Sequence, residues 1–226
     1  MQILRFQTAA FFKNSSERPD LLSANMPPEL LALFDLIPQI NPIPPIPQGI
    51  PNIPDFPIVT LQSSHQGYQG TISRNRADLV YTYSVRKDYS KLLLELSEYS
   101  ERFIEHFSLK QQINRIGIVV TAFIPEENAV KAIGKRYTSR ELHNSEELKV
   151  RFNKREQKNG IRFNNIVSIS SDKVSFENKT PIPGIIIECD INNIPSSTQL
   201  TNEECRTIFS HAFERYTEEG VRKLIL

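Results

Sequence analysis

Residues 148–169 read LKVRFNKREQKNGIRFNNIVSI. Two strand-like runs, 148–157 and 161–169, flank Asn159-Gly160, a pair favoured in tight primed turns because both residues accept positive φ. Alternation along the first run sends Val150 and Phe152 toward a core and Lys149 and Arg151 away from it. A hairpin of this kind makes its two strands antiparallel neighbours. Residues 68–74 and 79–83 form a second pair of runs, with a turn expected at Asn75-Arg76-Ala77-Asp78. Further runs at 4–12, 58–61, 113–124 and 185–191 complete a strand-rich chain, and the last two are apolar enough to be buried.

Helical spacing appears in two long stretches. After Asp88 or Ser90 as cap, Leu92, Leu96, Tyr99, Phe103 and Phe107 recur by threes and fours. Thr201-Asn202-Glu203-Glu204 is a capping box, and Cys205, Ile208, Phe209, Ala212, Phe213 and Tyr216 follow on one face, with Gly220 as the expected stop. Two shorter helices are expected. One opens at Pro27-Pro28-Glu29 and carries Leu30, Leu33, Phe34 and Ile37; the other opens at Pro125 and ends at Gly134. The expected fold class is α+β: largely antiparallel sheet packed with two long amphipathic helices, plus an extended polyproline II arm.

That arm is a three-residue repeat. From Ile37 it reads IPQ INP IPP IPQ, and after Gly49 it resumes as IPN IPD FPI. Polyproline II has three residues per turn, so Ile37, Ile40, Ile43 and Ile46 fall on one edge, and Ile50, Ile53 and Phe56 fall on another after the one-residue slip. A solvated linker needs no apolar edge, so the repeat is expected to dock on its own sheet, on a second copy, or on a protein partner. The resulting organisation is an N-terminal strand and short helix at 1–36, the arm at 37–57, and an α+β domain at 58–226. Two similar halves divided near 140 are a further option, although the order of elements read from sequence differs between them.

Composition narrows the class without naming a function. With 226 residues, 39% hydrophobic and 23% charged, the chain is long enough to bury a core and is not composed like a disordered segment. A net charge of +1 supplies no overall field toward nucleic acid or an anionic membrane. Arg5 and Gln7 interrupt the first apolar run, which reads as a strand rather than a signal segment, and no run is long enough to span a bilayer. A cytoplasmic setting without membrane contact is expected, and the two cysteines, Cys189 and Cys205, suit its reducing conditions.

Three local clusters carry residue types capable of chemistry. Lys149, Arg151, Lys154, Arg155, Lys158 and Arg162 would give the hairpin a cationic ribbon able to neutralise phosphates, which makes nucleic acid the second class of partner. Charged residues on an exposed sheet edge also prevent strand addition, and with a near-neutral chain and no aromatic stacking signature beside the patch a solvated face explains them more simply. Glu188 and Asp190 lie two apart on one strand and share a face; they could hold a cation or act as an acid–base pair, but ordinary alternation with Ile187, Cys189 and Ile191 inward accounts for them. His65, His106, His143 and His211 are not at metal-ligand spacing, and Ser63-Ser64-His65 lacks a nucleophile-elbow pattern. No phosphate loop or dinucleotide fingerprint occurs. The sequence therefore nominates no catalytic residue, no metal ligand and no cofactor.

Ile113-Asn114-Arg115-Ile116-Gly117-Ile118, Asn164-Asn165-Ile166 and Ile187-Glu188-Cys189-Asp190-Ile191, followed by a helix with His211, Phe213 and Glu214, resemble a family of uncharacterised, sporadically distributed bacterial proteins. The resemblance covers the last two-thirds of the chain and leaves the isoleucine-proline repeat outside. It implies an α+β fold and no catalytic residues. The expected function is a non-catalytic protein–protein interaction component of a bacterial complex, in a phage-defence or mobile-element setting. Binding of nucleic acid by the hairpin is the alternative.

Overall fold

The structure, a computed structural model, describes residues 1–42, 55–65, 67–139, 142, 145–176 and 179–225. Its strands are β1 (Gln2–Phe12), β2 (Gln39–Ile40), β3 (Val59–Gln62), β4 (Tyr68–Ile72), β5 (Arg76–Thr82), β6 (Ile113–Pro125), β7 (Lys149–Lys158), β8 (Ile161–Val174) and β9 (Ile182–Asn193). The helices are α1 (Pro19–Leu22), α2 (Pro28–Leu31), α3 (Tyr89–Ser108), α4 (Ala129–Tyr137), α5 (Asn202–Tyr216) and α6 (Glu218–Arg222). All nine strands join one antiparallel sheet in the order β2-β3-β4-β5-β1-β6-β9-β8-β7. The fold is mixed α+β.

Strand alternation gives the sheet two unlike faces. Directly paired residues share a face, so one row runs across seven of the strands as Phe152, Val167, Cys189, Val120, Phe6, Tyr81 and Tyr68. This row faces the helices, and from Val167 to Tyr68 it is buried. On the other face the parallel row reads Arg151, Ser168, Glu188, Thr121, Arg5 and Thr82. Among the described residues no helix covers that second face.

The helices are pinned to the apolar face by buried polar contacts as well as by packing. Thr8 and Ser100 share a 2.6 Å hydroxyl hydrogen bond between β1 and α3. The Tyr216 hydroxyl at the end of α5 donates to the Ile118 carbonyl at 2.5 Å and accepts from the Ile191 N–H at 3.1 Å, joining the helix to β6 and β9 at once. His106 donates to the Leu22 carbonyl at 2.9 Å, which fastens α1 against α3. Asp88 caps α3, and the Thr201–Glu204 capping box opens α5 with both of its hydrogen bonds made.

Connectivity repeats. β1 is followed by short helices, then by the β3-β4-β5 meander whose last strand returns to pair with β1, then by α3. β6 is followed by α4, then by the β7-β8-β9 meander whose last strand returns to pair with β6, then by α5. The two runs meet where β1 pairs with β6. The order of elements is thus the same in both, unlike the order read from sequence, and the second run starts at Ile113; residue 140 lies within it, between α4 and β7.

Several local expectations are corrected. The turn between β4 and β5 is Ser73 to Arg76, closed by the Ser73 N–H donating to the Arg76 carbonyl at 2.8 Å, so Arg76, Ala77 and Asp78 lie in the strand. α2 is a single turn. Ile37 does not continue its apolar face and is 88% exposed. α4 starts at Ala129 rather than at Pro125, which ends β6. Gly220 sits inside α6, and α5 stops at Thr217, whose hydroxyl accepts from the Gly220 N–H and so caps the next helix.

Candidate functional site

The isoleucine edge lies at the β2 end of the sheet. Ile40 pairs with Val59 through the backbone, yet Val59 is fully buried while Ile40, on the edge strand, is 65% exposed. Ile37 and Phe56 are also exposed, and so is the neighbouring Leu36. The segment leading into β2 is held by polar contacts: the Leu36 N–H donates to the Gln62 carbonyl at 3.2 Å, and Asp35 accepts from the N–H and the hydroxyl of Ser64. Those two bonds hold the Asp35 carboxyl below the usual carboxylate range. Ser64 is therefore a tie for this segment. Ile43, Ile46, Ile50 and Ile53, with the rest of the repeat from 43 to 54, lie outside the described residues.

The basic hairpin is divided by its own pleat. Lys149, Arg151 and Arg155 point to the open face of β7, and Arg162, paired with Gln157, shares it. Lys154 and Lys158 are on the helix side, where Lys154 pairs with Glu156 at 2.9 Å and Lys158 with Glu214 at 2.9 Å. Glu188 and Asp190 also face the open side, with Cys189 and Ile191 buried on the other. Asp190 accepts a 2.9 Å hydrogen bond from Asn192. Among the described residues no cluster of His, Cys, Asp and Glu could hold a metal ion.

A third site was not visible in the sequence. Under α5 and α6, a cavity of about 280 Å³ opens between the helices and the helix-facing side of β7, β8 and β9. Val167, Cys189 and Ile191 form its floor, while Lys154, Glu156 and Arg215 stand at its margin. His211 is buried beside these groups, its ring stacked on Phe163 with centroids 4.1 Å apart. Arg215 donates to His211 Nδ1 at 3.1 Å and to Glu156 at 2.5 Å. Nδ1 must then be an acceptor, so the proton is on Nε2, which donates to Asn165 Oδ1 at 3.3 Å.

The electrostatics of this cluster favour a neutral imidazole. Burial, reinforced by the adjacent Arg215 charge, pushes the His211 pKa down to about 4. Glu156 is held low, first by its hydrogen bond from Lys154. Burial pushes the Cys189 thiol up to about 12, leaving it protonated and unreactive. Cys205 is likewise a free buried thiol. His106 is occupied in its bond to Leu22, and His143 lies outside the described residues.

No family model and no curated protein sequence matches the chain. Among the described residues no helix is long and apolar enough to cross a membrane.

Proposed function

We propose that the protein is a non-catalytic interaction component that binds another protein through the isoleucine edge at β2. The observation that carries this reading is the contrast between the exposed Ile37 and Ile40 and their neighbours Val59 and Leu61, which are sealed under the helix layer. Isolated exposed leucines need no explanation, whereas isoleucines clustered at a sheet edge and continued in sequence by four more do. β2 is two residues long and lies between Pro38 and Pro42, so it offers little backbone for strand addition. A two-fold β2–β2 junction with a second copy is therefore disfavoured. The complementary surface is an apolar groove on a different protein that accepts side chains spaced every third residue.

The test compares the full chain with a triple variant, Ile37→Ser, Ile40→Ser and Phe56→Ser, in cross-linked captures from the native source, followed by titration of the purified captured protein. Affinity should fall at least ten-fold with melting unchanged, because these side chains are exposed in the free chain. Equal capture by the variant rejects the site. A wild-type dimer in sedimentation that the variant dissociates would replace the partner with a second copy. Nucleic acid is the competing ligand, through Lys149, Arg151, Arg155 and Arg162. Salt-dependent binding of oligonucleotides that disappears on Arg151→Glu and Arg155→Glu would put that reading first.

A further inference from the structure

One guanidinium on the open face of the sheet has no partner. Arg115 of β6 lies against Phe11, its paired residue on β1, with the guanidinium carbon 4.7 Å from the ring centroid; Arg76 of β5 flanks the same ring at 5.6 Å. The Arg76 fork is closed on Asp78 at 2.7 and 3.0 Å. Arg115 makes no hydrogen bond and no ion pair among the described residues, and its Nε is buried without an acceptor. A half-buried cation that has lost part of its water calls for an anion, because its desolvation is otherwise uncompensated. With Nε closed off, such an anion approaches through the Nη groups.

The register supplies a second cation. Gly117 pairs with Asn192, and Asn192 with Asn164, so Arg115 and Arg162, each two residues earlier on its strand, share a row and stand two strand spacings apart, about 9–10 Å. Between them, just past the end of β9, is the uncharged, half-buried Ile194, whose N–H donates to the Arg162 carbonyl at 2.9 Å. Arg162 is exposed and has no ion pair among the described residues. Two side chains of this length can bend over Ile194 and grip one tetrahedral oxyanion from both sides. The carboxylates of this face stand elsewhere: Asp78 is held by Arg76, and Asp190 and Glu188 lie opposite Val119 and Thr121. They interrupt any longer track of phosphates, and a net charge of +1 draws no polyanion to the chain. Two unmatched guanidinium groups fit the charge of a phosphate monoester, about −1.5 to −2 at pH 7, better than that of a monoanion. We propose that Arg115 and Arg162 form a binding site for the phosphate monoester of a small molecule. The site is independent of the isoleucine edge, which lies at the β2 end of the sheet.

Three probes test it on the full chain by calorimetry at matched ionic strength: phenyl phosphate, a monoester; diphenyl phosphate, a singly charged diester; and a short oligothymidylate. Phenyl phosphate should bind about ten-fold more tightly than the diester, since only the monoester carries the charge that both guanidinium groups match. Arg115→Gln and Arg162→Gln should each weaken it about ten-fold, the loss expected for a hydrogen bond to a charged group. Arg115→Lys keeps the charge without the fork and should recover part of that loss. Lys149→Gln with Arg151→Gln, far along β7 from the row, should bind phenyl phosphate as the wild type does. Melting and circular dichroism check the fold of each variant, and the exposed Arg162 keeps the test open if Arg115→Gln does not fold. Equal affinity for monoester and diester overturns the proposal, as does phenyl phosphate binding that survives both glutamine variants. Absence of phenyl phosphate binding at millimolar concentration overturns it too, and oligothymidylate binding that falls with Lys149→Gln and Arg151→Gln would then assign the face to nucleic acid.

Discussion

His211 is neutral because its surroundings make the imidazolium costly. Glu156 and Lys158 approach it from β7, Asn165 from β8, and Glu214 and Arg215 from its own helix, while the Phe163 ring covers one face. Its folded pKa, about 4, lies below the ordinary 6.5, so the native state binds this proton less readily than the unfolded chain does. The stabilisation is complete above pH 6.5 and is lost as pH falls toward 4. For a shift of this size it amounts to about 3 kcal/mol as an upper figure. His211→Gln should be less stable than wild type at pH 7 but should lose less stability between pH 6.5 and 4, as read from urea unfolding at each pH. Equal slopes would show that the imidazole does not titrate with folding. His106, whose pKa burial also lowers, is present in both proteins and cancels from the comparison. Nothing in the sequence joins His211 to its partners, since Asn165 is 46 positions away and Arg215, four residues on, reads as an ordinary exposed helix charge.

At the scale of the element, the β7–β8 hairpin was legible because its turn is written in two adjacent residues. Asn159 has φ 51° and Gly160 φ 79°, both in the left-handed region. A Cβ on Gly160 would meet nothing within 4 Å, so the penalty for Gly160→Ala is backbone strain alone, about 1–2 kcal/mol. Chemical denaturation should show that loss, and an unchanged midpoint would mean that the turn relaxes to another type. The β4–β5 turn was misread for a physical reason. Arg76 and Asp78 look like turn residues, but in the strand they pair with each other at 2.7 Å, and Gln7 of β1 donates to Asp78 at 2.7 Å. A cross-strand polar network on the open face thus tolerates charges that a local pattern assigns to a loop. The cationic ribbon shows the reverse limit: alternation foresaw Lys149 and Arg151 on one face, and the same alternation places Lys154 and Lys158 on the other.

At the scale of the molecule, the antiparallel character and the mixed α+β class were readable from hairpins and periodicity, whereas the seam between β1 and β6 was not. More than a hundred residues separate the paired positions Phe6 and Val120, and no local signal specifies such a partner. That seam makes the two topological runs dependent on each other. Phe6 is 1% exposed, lies in the central row between Tyr81 and Val120, and stacks on Phe213 of α5, so its side chain touches elements of both runs. Truncation to alanine should cost about 3–5 kcal/mol through lost burial and the cavity left behind. If the sheet unfolds as one unit, native-state hydrogen exchange will show the same loss of protection in β4, on one side of the seam, and in β8, on the other. Loss confined to β3, β4 and β5 would instead mean that each run is a separate folding unit joined at a weak seam, and the repeated topology would then describe two domains sharing a sheet.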